Sequence, residues 1–93
     1  GAGLPVTRAL TRPSKGPRTV NQHRIILSSP RYATRTTTFV TTREDAYLRA
    51  RVALATAPDA AEARASLYRR GRNGFELVCF LRVVDGVAAE VSA

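Results

Sequence analysis

Phe75-Glu76-Leu77-Val78-Cys79-Phe80-Leu81-Arg82-Val83-Val84 is the stretch whose reading decides the fold. It is rich in aromatic and β-branched side chains and stands between Asn73-Gly74 and Asp85-Gly86, two pairs with turn chemistry. Side chains alternate between the faces of a strand, so Phe75, Leu77, Cys79, Leu81 and Val83 are expected on one face. Val78 and Phe80 fall in the middle of the other, with Glu76 and Arg82 towards its ends. A run apolar on one whole face and at the centre of the other reads as a central strand. Asp85-Gly86 predicts a two-residue hairpin turn, after which Val87 to Val91 returns as a short edge strand.

Two helices are expected upstream. Thr42 followed by Arg43-Glu44-Asp45 puts a hydroxyl at the N-cap and carboxylates in the first turn, where the helix dipole favours negative charge. Ala46 to Ala57 then repeats apolar residues at spacings of three and four, through Tyr47, Ala50, Leu54 and Ala57, until Pro58 ends the helix. Asp59 and Glu62 repeat the capping pattern for a second helix running to Arg70, with an apolar stripe of Ala60, Ala63 and Leu67. Gly71 suits its C-terminal stop. Earlier still, His23–Ser28 and Tyr32–Thr41 read as strands forming an antiparallel hairpin across Ser29-Pro30-Arg31. The order predicts one α+β domain over residues 23–93. It is a two-layer sandwich, with a mainly antiparallel sheet of three or four strands and two helices on one face.

Residues 1–22 read differently. Pro5, Pro13 and Pro17, with Gly1, Gly3 and Gly16, interrupt every periodic window, and the apolar residues are too few for a core. This is an extended basic N-terminal arm by composition. An Arg-, Ser- and Thr-rich segment without acids also describes a processed targeting remnant, and Gly1-Ala2-Gly3 could equally be an expression scar.

Charge is the functional signal. The 93 residues carry a formal net charge of +8, from 15 basic and 7 acidic side chains. The first 43 positions contain Arg8, Arg12, Lys15, Arg18, Arg24, Arg31, Arg35 and Arg43 and no acid at all. The second half is balanced. Fourteen of the cations are arginine, whose planar fork suits phosphate and carboxylate, although a GC-rich genome would produce the same ratio. No apolar run is long enough to span a membrane. The single Cys79 reads as a small core residue of a reducing compartment, cytoplasmic or organellar, since it has no second thiol for a disulfide or a zinc site.

Catalytic chemistry finds no foothold. His23, the one histidine, stands at the junction of arm and strand, far along the chain from Cys79, and reads as a surface or junction residue. Glu44 and Asp45 diverge on a helix, and no phosphate-binding loop, metal-ligand cluster or cofactor pattern occurs. The expectation is a non-enzymatic structural or binding subunit of a large assembly, ribosomal-protein-like in style. Arg8, Arg12, Lys15 and Arg18 of the arm and Arg24, Arg31 and Arg35 of the hairpin would contact the phosphates of RNA, in preference to DNA. Tyr32 and Phe39 could stack on bases, though strand aromatics commonly belong to a core.

The alternative partner is acidic protein, since carboxylates complement the same surface. Here the β-β-α-β order, over His23–Pro30, Thr37–Ala55 and Gly71–Val84, is loosely similar to small phycobilisome linker polypeptides, which are also basic. That resemblance implies a light-harvesting linker whose arm lies along acidic subunits. The paired glycines such linkers place before the last strand are here Gly71 and Gly74, separated, and Ala57–Tyr68 has no counterpart. A capsid-associated protein with an extended arm would fit the same features.

Overall fold

The computed structural model describes residues 19–91. Their order is β1 (Val20–Ser28), β2 (Arg35–Thr42), α1 (Arg43–Ala55), a single 3-10 turn (Ala60–Glu62), β3 (Arg64–Gly71), β4 (Gly74–Val84) and β5 (Val87–Val91). The five strands form one antiparallel sheet in the order β2-β1-β3-β4-β5, and α1 packs on one face of it. The α+β class therefore holds, with one helix instead of two and five strands instead of three or four.

Local chemistry accounts for the junctions. In the β1–β2 connection Ser29 Oγ accepts the amides of Arg31 and Tyr32, both at 3.1 Å, which closes the turn around Pro30. Thr42 caps α1, its Oγ1 accepting the Asp45 amide at 3.2 Å. Asp85 and Gly86 both have positive φ (54° and 79°), as a two-residue type I′ hairpin turn requires. β1 starts at Val20, so Val20-Asn21-Gln22, counted with the arm by composition, pair with Val40-Thr41-Thr42 of β2.

The core lies between α1 and the sheet. The helix buries Ala46, Ala50 and Leu54, and the strands bury Ile25, Ala65, Leu67, Cys79 and Leu81 against it. Alanine on the helix lets the two backbones approach closely. Leu54, Leu67 and Leu81 are fully buried, each contributing about 1.5–3 kcal/mol of transfer free energy. His23 belongs to this layer and not to the surface: it is 1% exposed, donates from Nδ1 to the Asn21 carbonyl at 2.9 Å, and stacks on Phe39.

The expected second helix is the clearest correction. Residues 59–70 hold one 3-10 turn and then β3, the central strand of the sheet. Ala60, Ala63 and Leu67 do recur at helical spacing, but Ala63, Ala65 and Leu67 also alternate, and all three are fully buried. As a strand the segment pairs with β1 on one side and β4 on the other, satisfying both ladders at once. Those hydrogen bonds and the shared core outweigh the helix propensity of alanine and arginine.

A second correction lies inside β4. Leu67 pairs with Cys79, but Tyr68 pairs with Leu77, so Val78 is an extra residue on β4: a β-bulge. Cys79 and Leu81 remain buried and Val83 packs on the core, whereas Phe75 and Leu77 are turned to the opposite face, where Leu77 is 45% exposed. The five apolar residues expected on one face are thus divided between two.

Candidate functional site

The bulge makes the face of the sheet opposite α1 chemically distinctive. Residues directly opposite each other across a ladder share a face, so the register gives its rows. At one end Gln22 of β1 and Arg70 of β3 stand in line with Val40 of β2 and Phe75 of β4. Next come Thr38, Arg24, Tyr68 and Leu77, and then Thr36, Ile26, Ser66, Phe80 and Val91. Ser28, Arg64, Arg82 and Ala89 complete it. Among the described residues no helix covers this face.

Its arginines are organised around its aromatic rings. Arg24 places its guanidinium carbon 4.0 Å from the centroid of Phe75, and Arg70 approaches the same ring at 5.9 Å. At the other end Arg64 lies 4.9 Å from the centroid of Phe80. Each such contact contributes about 0.5–1 kcal/mol at an exposed site. Hydrogen bonds fix the cations further: Arg24 Nε donates to Thr38 Oγ1 at 3.0 Å, and Arg70 Nη1 donates to Gln22 Oε1 at 3.1 Å. Asn21 Nδ2 also donates to the Arg70 carbonyl, at 2.8 Å.

Acids are absent from these rows. Glu44 and Asp45 lie on α1, Asp59 and Glu62 at the 3-10 turn, and Asp85 in the β4–β5 turn. Glu76 and Glu90 stand in strands but in the rows of His23 and Leu81, on the helix side. The ion pairs follow the same division: Arg31–Glu62, Arg49–Asp45 and Arg69–Glu76 leave out Arg24, Arg64, Arg70 and Arg82. Arg64 and Arg82 are moreover directly opposite each other. Like charges in that relation destabilise a sheet unless an anion lies between them.

The residues expected from sequence to bind are dispersed. Arg24 is on the open face. Arg31, in the β1–β2 connection, is 3.6 Å from Glu62. Arg35 opposes Leu27, on the helix side, and lines a groove of about 520 Å³ between α1 and β2 with Thr37, Asp45 and Arg49. Phe39 is on that side too, beneath Arg49 at 4.8 Å, while Tyr32 is exposed in the β1–β2 connection. Arg8, Arg12, Lys15 and Arg18 lie outside the described residues. Sequence reasoning missed Arg64, Arg70, Arg82, Phe75 and Phe80. The signal for the first two was the polar half of the β3 alternation, Arg64-x-Ser66-x-Tyr68-x-Arg70.

Elsewhere the chemistry is quiet. Burial pushes the Cys79 thiol up, with the Glu90 carboxylate adding to the effect, so it is held in the unreactive protonated form. No group of three or more His, Cys, Asp or Glu converges among the described residues. Nor is any helix there long and apolar enough to cross a membrane. Fold and face together define a small α+β domain with one sheet face covered by a helix and the other open, cationic and aromatic. No protein-family model matches the chain, and no curated protein or solved structure matches it either.

Proposed function

We propose that the chain is a non-enzymatic RNA-binding subunit of a larger assembly, with the open face of the sheet as its folded contact surface and the basic arm as an extension of it. One observation carries this reading: Arg24, Arg64, Arg70 and Arg82 share a face with no carboxylate, and two of them are held side by side. A polyanion relieves that repulsion and releases its own counterions on binding. RNA is favoured over DNA because the major groove of a DNA duplex admits a helix or a two-stranded ribbon, and a five-stranded sheet is too broad to enter it. Arg24 joins the two parts, since it belongs both to the acid-free first half of the sequence and to the open face.

The test is binding of labelled RNA, DNA and polyglutamate by the full chain across a salt series. RNA affinity is expected to fall steeply with salt, each neutralised phosphate contributing about −0.7 to −0.9 to the log–log slope. Polyglutamate is expected to bind weakly. Polyglutamate binding as tight as RNA would move the proposal to an assembly protein lying on acidic subunits. Absence of salt-dependent RNA binding would end the RNA reading.

A further inference from the structure

We infer that the open face is a stacking platform for the bases of single-stranded RNA, with Phe75 and Phe80 as its two ring positions. The inference rests on the RNA-binding reading and names what that reading leaves open, the form of the strand and the groups that hold its bases. Phosphate attraction alone needs only cations. This face adds rings, and it adds them at the expense of the core: the Val78 bulge turns Phe75 and Leu77 away from α1, although both are apolar and the core lies on the other side. Bulges of this kind re-aim side chains beside functional sites.

Each ring is paired with guanidinium groups, Phe75 with Arg24 and Arg70, and Phe80 with Arg64. An unstacked base stacks on an aromatic ring or on the plane of an arginine, so each ring and its cations form one slot in which base and phosphate are met together. Phe75 and Phe80 stand opposite Arg70 and Ser66, four residues apart on β3, so the two rings are about 13 Å apart at ~3.3 Å per residue. Tyr68 and Leu77, opposite each other in the register, supply apolar surface between them. A duplex hides the faces of its bases inside the stack, so the platform selects single strands. It tolerates different sequences, because every base has a π-face.

The test compares the full-length chain with Phe75→Leu/Phe80→Leu and Phe75→Tyr/Phe80→Tyr double variants, using a labelled oligouridylate and an RNA duplex over a salt series. Leucine keeps apolar bulk and removes the ring; tyrosine restores the ring. The leucine variant is expected to bind the oligouridylate on the order of 10- to 100-fold more weakly per ring, with an unchanged salt slope, and the tyrosine variant to recover most of the loss. Wild-type affinity for the duplex is expected to be well below that for the single strand. Leucine variants that bind as the wild type does, or a duplex bound as tightly as the single strand, would overturn the platform while leaving RNA binding standing. Loss of all salt-dependent binding in the wild type would remove both. Should the leucine variant fail to fold, the ring protons of Phe75 and Phe80 in the wild type decide the matter by NMR. They are expected to shift upfield on titration with the oligouridylate, and their constancy would overturn the inference.

Discussion

At the start of α1 two side chains converge on one carboxylate, and a third caps the same residue's amide. Thr41 Oγ1 donates to Asp45 Oδ2 at 2.7 Å, Arg49 Nε donates to the same oxygen at 2.6 Å, and the Asp45 amide donates to Thr42 Oγ1. The Thr41 hydroxyl first, and then Arg49, hold the Asp45 carboxyl below its ordinary value. A carboxyl depressed in the folded state contributes stability that is present above the unfolded value, about 3.9, and is lost as pH falls through the folded value. Thr41→Val removes the larger cause. The acid-unfolding midpoint, followed by circular dichroism, is expected to move to higher pH, with the Asp45 resonance titrating nearer the ordinary carboxylate range. An unmoved titration would show that Arg49 alone sets the carboxylate. The cap itself was legible in Thr42-Arg43-Glu44-Asp45, because it is local. Thr41 was not, because its role depends on where β2 delivers the chain into α1.

Among the elements, β3 and β4 show why sequence reading succeeded in one place and failed in another. β4 and β5 follow from adjacent residues: a long β-prone run, then Asp85-Gly86 with both φ positive, then a short return. β3 does not, since Ala63, Ala65 and Leu67 satisfy two periods and only the strands on either side of it choose between them. The bulge is harder still. Nothing in Leu77-Val78-Cys79 announces an extra residue, and its consequence is non-local, because one residue reverses the facing of everything on its far side. Deleting Val78 tests this assignment. With the extra residue gone, Leu77 still stands opposite Tyr68, Glu76 opposite Arg69 and Phe75 opposite Arg70, so every side chain keeps its face. The expected result is a modest loss of stability, about 1–2 kcal/mol from the partly buried Val78 side chain, read as a slightly lowered denaturation midpoint. A loss well above about 3 kcal/mol would mean that Val78 belongs to a regular ladder, its removal reversing the facing of Phe75 and Leu77, and that β4 runs without a bulge.

For the molecule as a whole, charge summed along the chain and charge sorted by the fold give different pictures. The acid-free first half pointed to the arm and the hairpin, and of the hairpin cations only Arg24 reaches the open face. Arg64, Arg70 and Arg82 come from the half that is neutral in sum, and the sheet separates the signs there, placing Glu76 and Glu90 on the helix side. A neutral segment in sequence thus supplies most of a cationic surface in three dimensions. This distinction can be measured at constant net charge. Arg24→Gln/Arg70→Gln removes two cations from the open face, while Arg43→Gln/Arg51→Gln removes two exposed cations from α1. If the face binds the strand, the first pair is expected to lower the magnitude of the log–log salt slope for single-stranded RNA by roughly 1.4, two contacts at about 0.7 each. The second pair is expected to leave the slope within error of the wild type, and both should retain the wild-type fold, since all four side chains lie outside the core. Equal reductions from the two pairs would mean that the RNA responds to overall charge alone, and the sheet face would lose its claim to be the binding surface.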